Sequence, residues 1–214
     1  ALDAGSGALL WKFQTGDVVH ASPAYADGLV FFGSWDSWFY AVDARTGQQK
    51  WRFHGGEDAV LHNQVGFQSS PAVVNGIVYT GCRDSNLYAL DAATGAEKWR
   101  YNANGSWIIS SPAVAAGKVI FGTSDSSLYV VADAATGKVL WRRTSDAHKP
   151  STPAISGDNL IVSAKDGTVT ALTRKAGKVV WQLRTNAIVE SSPAVVDGVA
   201  YFGATDGRLF AVDA

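Results

Sequence analysis

Short apolar runs, broken every few residues by glycine, aspartate or asparagine, fill most of the chain. The stretch "PAVVNGIVYTG" sets two β-branched or aromatic runs on either side of Asn75-Gly76, a strong hairpin signal. Asp27-Gly28, Ala116-Gly117, Gly157-Asp158 and Asp197-Gly198 occupy equivalent places. A second turn follows each time and carries an aspartate: Asp36, Asp84, Asp125, Asp166 and Asp206. After it comes an alternating run such as "LYAL", then a third turn such as "DAATG", then a run bearing a tryptophan. Nowhere do apolar positions recur with the 3.6-residue period of a helix over a helical length. The pattern therefore predicts strands in groups of four and essentially no helix. The turn aspartates and glycines are explained by backbone geometry, since both tolerate positive φ.

The groups repeat. Pro23, Pro71, Pro112, Pro153 and Pro193 open them at spacings of 48, 41, 41 and 40. Trp11, Trp51, Trp99, Trp141 and Trp181 close them at spacings of 40, 48, 42 and 40. Both series share one long interval, so a single insertion lies between Trp51 and Pro71. Four antiparallel strands in about 40 residues, repeated, describe a β-propeller blade. The expected fold is all-β: one propeller domain over residues 1–214, with blades near 22–54, 70–102, 111–144, 151–184 and 192–214 plus 1–15. In the last of these the N-terminal strand "ALLWKFQT" closes a ring of five blades, leaving no open edge. Ala24, Ala72, Ala113, Ala154 and Ala194, each after a proline, suit an innermost strand where space is short.

The segments "AVDARTGQQKW", "ALDAATGAEKW" and "VADAATGKVLW" carry the AxDxxTGxxxW motif, and in this the chain resembles the pyrroloquinoline-quinone (PQQ)-like repeat family of β-propellers. "ALDAGSGALLW" and "ALTRKAGKVVW" are degraded copies; the latter has Thr173 in place of the aspartate. The resemblance covers essentially the whole chain. It implies that the motif glycine and tryptophan form a girdle between blades, making Trp11, Trp51, Trp99, Trp141 and Trp181 structural. Many bearers of the motif bind no PQQ.

Composition narrows the picture further. A length of 214 residues, 47% hydrophobic, is enough for one domain with a substantial core. A formal net charge of −1 gives no electrostatic case for nucleic acid or an anionic membrane surface. No run of about 18 apolar residues exists to span a bilayer, and no signal peptide is visible. The absence of methionine suggests a mature or excised domain of a longer product. Cys82, the single cysteine, excludes an internal disulfide and reads as core.

Candidate functional residues follow from strand parity. If strands A to D alternate in direction, the A–B and C–D turns lie on one face, and the B–C turns and D–A connections on the other. The first set is short and nearly uniform. The second holds almost everything that departs from the repeat: His20, His54, His62 and His148, the insertion from Gly55 to Gln68, and the extra tryptophans Trp35, Trp38 and Trp107. Three residues before each proline stand His20, Gln68, Ile109, Pro150 and Glu190. In a repeat protein, packing needs the identities, and differences between copies are where recognition is written. The expected ligand- or partner-binding residues are therefore His20, Trp35, Trp38, His62, Gln68, Trp107, His148 and Glu190. No spacing fixes the histidines as metal ligands, no catalytic motif is present, and the "SSP" serines suit hydrogen bonds between neighbouring blades.

The expected function is a non-catalytic binding or scaffold module, presenting one face to a protein, a peptide or a small ligand. No cofactor is expected, and the location is extracytoplasmic or periplasmic. The resemblance extends to periplasmic lipoproteins of outer-membrane protein assembly and to sensor-kinase propellers. Its alternative branch implies a quinoprotein dehydrogenase with PQQ and Ca²⁺, for which no vicinal cysteine pair or calcium cluster can be assigned. A carbohydrate-binding propeller using the extra tryptophans is a further alternative.

Overall fold

The computed structural model describes residues 1–56, 66–124, 127–131, 134–144 and 151–214, with 127–131 as backbone alone. The elements are strands, and among the described residues there is no helix. The first sheet comprises β1 (Ala24–Ala26), β2 (Leu29–Gly33), β3 (Trp38–Asp43) and β4 (Gln49–His54). The second comprises β5 (Ala72–Val74), β6 (Ile77–Gly81), β7 (Asn86–Asp91) and β8 (Glu97–Asn102). The third comprises β9 (Ala113–Ala115), β10 (Lys118–Gly122), β11 (Ser127–Val131) and β12 (Val139–Thr144). The fourth comprises β13 (Ala154–Ser156), β14 (Asn159–Ser163), β15 (Thr168–Thr173) and β16 (Val179–Arg184). The fifth holds β17 (Ala194–Val196), β18 (Val199–Gly203) and β19 (Leu209–Asp213). In every sheet each strand pairs with its neighbours in the chain.

The A–B hairpins form because their turn residues accept left-handed backbone. Asp27 and Gly28 have φ of 49° and 80°, Asn75 and Gly76 of 51° and 72°, as a two-residue hairpin turn requires. The B–C turns close differently. Asp36, Asp84, Asp166 and Asp206 each accept a hydrogen bond from the backbone N–H two residues on, an Asx turn. The second carboxylate oxygen of Asp36 also accepts from the Tyr40 hydroxyl at 2.7 Å and from the N–H of Gly16 at 2.8 Å. Asp84 does the same with the Tyr88 hydroxyl and Gly56 N–H. These aspartates thus pin the end of one outer strand to the next blade's turn.

Residues Ala1–Gly105 and Ser106–Ala214 form two compact units. In the first, Phe31, Phe39, Trp51, Phe67, Tyr88 and Leu90 build the core between the first two sheets. In the second, Ile161, Val169, Val189 and Phe202 pack together, with Leu160, Leu172 and Ile120 as a neighbouring cluster. Each fully buried side chain of this size contributes about 1.5–3 kcal/mol.

The motif tryptophans join blades within each unit. The indole Nε1 of Trp11 donates to the Ala44 carbonyl at 2.9 Å, Trp51 to Ala92 at 3.0 Å, and Trp141 to Arg174 at 3.0 Å. The motif glycine of the next turn lies flat under each ring. A Cβ at Gly47, Gly95 or Gly177 would sit 2.7 Å from the indole, and all three have positive φ. A bulge one residue before Trp51, Trp99 and Trp181 shifts the register at Ala41/Val42, Ala89/Leu90 and Ala171/Leu172. The serines behave as expected. Ser22 N–H donates to Ser70 Oγ, and Thr152 N–H to Ser192 Oγ, between neighbouring inner strands.

The fifth sheet holds three strands among the described residues, and closure of a five-blade ring by the N-terminal strand is not confirmed. Residues 1–23 carry only the isolated bridge between Leu2 and Leu9. The segment has the composition of an outer strand, but a strand also needs a ladder partner, and composition cannot say which edge supplies it. Trp11 nonetheless sits on Gly47 in the manner of an outer strand preceding the first sheet.

Candidate functional site

Antiparallel pairing throughout places the B–C turns and D–A connections together at one end of each sheet. In the first unit that end is built around Trp35. Its backbone N–H donates to the Val18 carbonyl at 2.9 Å, tying the turn to the connection that enters β1. The connection entering β5 crosses the same turn: Phe67 N–H donates to Ser34, and Arg83 N–H to Gly66. Gly66 is needed there, since a Cβ would stand 2.6 Å from the Trp35 Cα. Phe67 next to it is fully buried, edge-on to Phe39 at 5.5 Å, and anchors the crossing.

Two polar groups converge on the indole. The His20 ring lies 5.3 Å from it at 55°, and the Arg83 guanidinium lies 4.8 Å over its face. His20 is exposed, while Trp35, Gln68 and Arg83 are half-buried. The Trp35 Nε1 is buried and has no hydrogen-bond partner among the described residues. An imidazole, an indole and a guanidinium at one rim can stack on a planar or aromatic group and donate to a carbonyl or carboxylate. Cys82, adjacent in sequence, takes no part. It is fully buried, its thiol faces the Gly66 carbonyl, and burial and then the Asp84 charge push its pKa well up.

Trp38 stands apart from this group. It is edge-on to His54 at 4.6 Å, and the Arg52 guanidinium covers its ring at 4.0 Å. Trp38 and Arg52, together with Gln14, Asp36, Tyr40 and Gln49, line a separate cleft of about 320 Å³. In the second unit, Trp107 occupies the place that Val18 has in the first. Its carbonyl accepts from Ser124 N–H at 2.8 Å, and its own N–H donates to Ser124 Oγ at 2.9 Å. Glu190 is exposed and ion-paired with Lys165 of the preceding blade's B–C turn. His62 and His148 lie outside the described residues, as do Glu57 and Asp58 of the insertion. The structure thus brings together His20, Trp35 and, nearby, Gln68; Trp38 belongs to another cleft.

Arg83 and Lys165 were missed by the sequence argument. The signal was present: the residue just before each turn aspartate reads Trp35, Arg83, Ser124, Lys165, Thr205, the most varied position of that turn. Among the described residues no three His, Cys, Asp or Glu side chains gather to hold a metal ion. Among the described residues no helix is long and apolar enough to cross a membrane.

Sheets of this topology, joined by tryptophans docked on motif glycines, define a PQQ-like repeat β-propeller. The chain belongs to the family described as outer membrane protein assembly factor BamB, whose model matches residues 1–107 and 87–214. Among solved structures it is similar to BamB from Moraxella catarrhalis, with a TM-score of 0.84 and 22% identity over 98% of this chain. This chain spans 65% of that protein's length. It is also similar to the computationally designed protein Ika8, with a TM-score of 0.76 and 20% identity, over 88% of this chain and 56% of that one. The quinohemoprotein alcohol dehydrogenase of Comamonas testosteroni matches with a TM-score of 0.74 and 22% identity, over 92% and 41% of the two chains. At these identities the structural likeness speaks for the fold alone. Comparison with curated proteins gave no match.

Proposed function

We propose that this chain is a non-catalytic scaffold propeller of outer-membrane protein assembly, acting outside the cytoplasm and presenting the Trp35 rim to a protein or peptide. Membership of the BamB family supports the assembly role. The Trp35 cluster is the observation that carries the binding surface. Packing between blades uses the motif tryptophans, whereas Trp35 is placed at the rim with His20 and Arg83 against it and its Nε1 without a partner among the described residues.

The test is binding of the chain to unfolded outer-membrane β-barrel polypeptide and to purified assembly-machine components. The double variant His20→Ala, Arg83→Ala should lose binding while keeping its thermal midpoint. Failure of the unaltered chain to bind any of them, or full binding by the variant, refutes the proposal.

A further inference from the structure

The opposite end of the fourth sheet carries a feature that the proposed Trp35 rim does not include. In the first two sheets the C–D turn is self-contained. Asp43 accepts from the N–H groups of Arg45 and Thr46, and the lysine at the bulge, Lys50, reaches back to it at 3.3 Å. Asp91 accepts from Ala93 and Thr94 and pairs with Lys98 at 3.0 Å. The fourth sheet replaces both members: Thr173 stands for the aspartate and Val180 for the bulge lysine. The turn nevertheless closes, with Thr173 Oγ1 accepting from Lys178 N–H at 3.1 Å and Gly177 N–H donating to the Thr173 carbonyl at 2.8 Å. Its backbone therefore needs no charge.

Charge is present all the same, and of one sign. Arg174, where the other turns have Ala44 and Ala92, Lys175 and Lys178 line a cleft of about 480 Å³, with Lys118 of the adjacent sheet on its far side. The one acid in the lining is Asp158, and Arg174 takes it at 3.0 Å. Lys118, Lys175 and Lys178 form no ion pair among the described residues. Three ammonium groups thus line one concavity whose one acid among the described residues is already paired with Arg174, in a chain whose net charge is −1.

We propose that this cleft binds an acidic peptide segment of a partner protein, at a second site separate from the Trp35 rim. Charge complementarity selects an anion. Lysines act as point charges suited to scattered carboxylates, and the fork of Arg174, which would grip a phosphate in two places, is taken by Asp158. Beside the cleft, Val179 and Val180 are about half exposed on β16, which pairs only with β15 among the described residues. An extended backbone can lie against that open edge while its carboxylates reach the lysines.

The probe is fluorescein-labelled hexaglutamate, titrated with the whole chain at low salt, beside hexalysine, inorganic phosphate and phosphatidylglycerol vesicles. Hexaglutamate should bind and hexalysine should not. Lys175→Glu, Lys178→Glu should weaken hexaglutamate by about tenfold or more, Lys175→Gln, Lys178→Gln by less, and added salt should erase the difference. The His20→Ala, Arg83→Ala variant should bind hexaglutamate unchanged, which separates this site from the rim. Absent binding, affinity untouched by charge reversal, or binding of vesicles or phosphate in preference to the peptide would each overturn it.

Discussion

Tyr40 shows how one residue joins fold and solvent conditions. Burial, and then the Asp36 carboxylate that accepts its hydroxyl, push its pKa from the usual 10.0 up to about 12. Tyr88 is pushed up likewise, by burial and by Asp84. A value raised on folding means the stabilisation is whole below pH 10 and drains away as pH climbs from 10 to about 12. Thermal melts across that range should show a falling midpoint, with a shallower fall in Tyr40→Phe. Gly95 gives a second test at this scale. It combines a φ of 75° with a Cβ position 2.7 Å from the Trp51 indole. Urea denaturation of Gly95→Ala should show a loss of about 2–4 kcal/mol, from backbone strain and overpacking together.

At the scale of elements, the outer strands carry the joints. Trp99 is 9% exposed, and its ring lies 5.9 Å from Tyr79. Trp99→Ala should cost about 3–5 kcal/mol in equilibrium unfolding. The Asp43–Lys50 pair, by contrast, lies at the surface, and the fourth sheet shows the same turn closing without it. Copying that sheet with Asp43→Thr and Lys50→Val should therefore lower the melting midpoint less than Gly95→Ala does. The strand pattern and the A–B hairpins were legible in the sequence, because each rests on contacts local to a blade or on the next repeat; the turn aspartates were rightly read as structural, but they act by accepting hydrogen bonds and not through positive φ. The pairing partner of the N-terminal segment was not legible. Its alternation marks it as an outer strand, yet pairing depends on which edge lies beside it.

At the scale of the whole molecule, scaffold and rim should come apart experimentally. Variants of His20 and Arg83 should alter affinity and spare stability; variants of Trp51, Trp99 or Gly95 should do the reverse, since they act through packing. Calorimetric melts beside binding isotherms on one set of proteins would show the division, and a rim variant that unfolds the chain would refute it. The rim itself was half legible. Repeat departures pointed to His20, Trp35 and Gln68, but Arg83 came into view only when its guanidinium was found over Trp35. The cationic cleft was hidden for a related reason: the C–D turns were judged uniform because their lengths match, while their charges differ.

The sequence alone determined the repeat, the four-strand unit and the packing residues of each joint, since those demands recur at fixed spacing and any copy betrays them. Only the tertiary structure decided that Trp35, His20 and Arg83 share one surface while Trp38 belongs to another, and that Lys118 faces Lys175 and Lys178. Such groupings arise where separate connections cross, and no periodicity along the chain encodes a distance between residues on different strands.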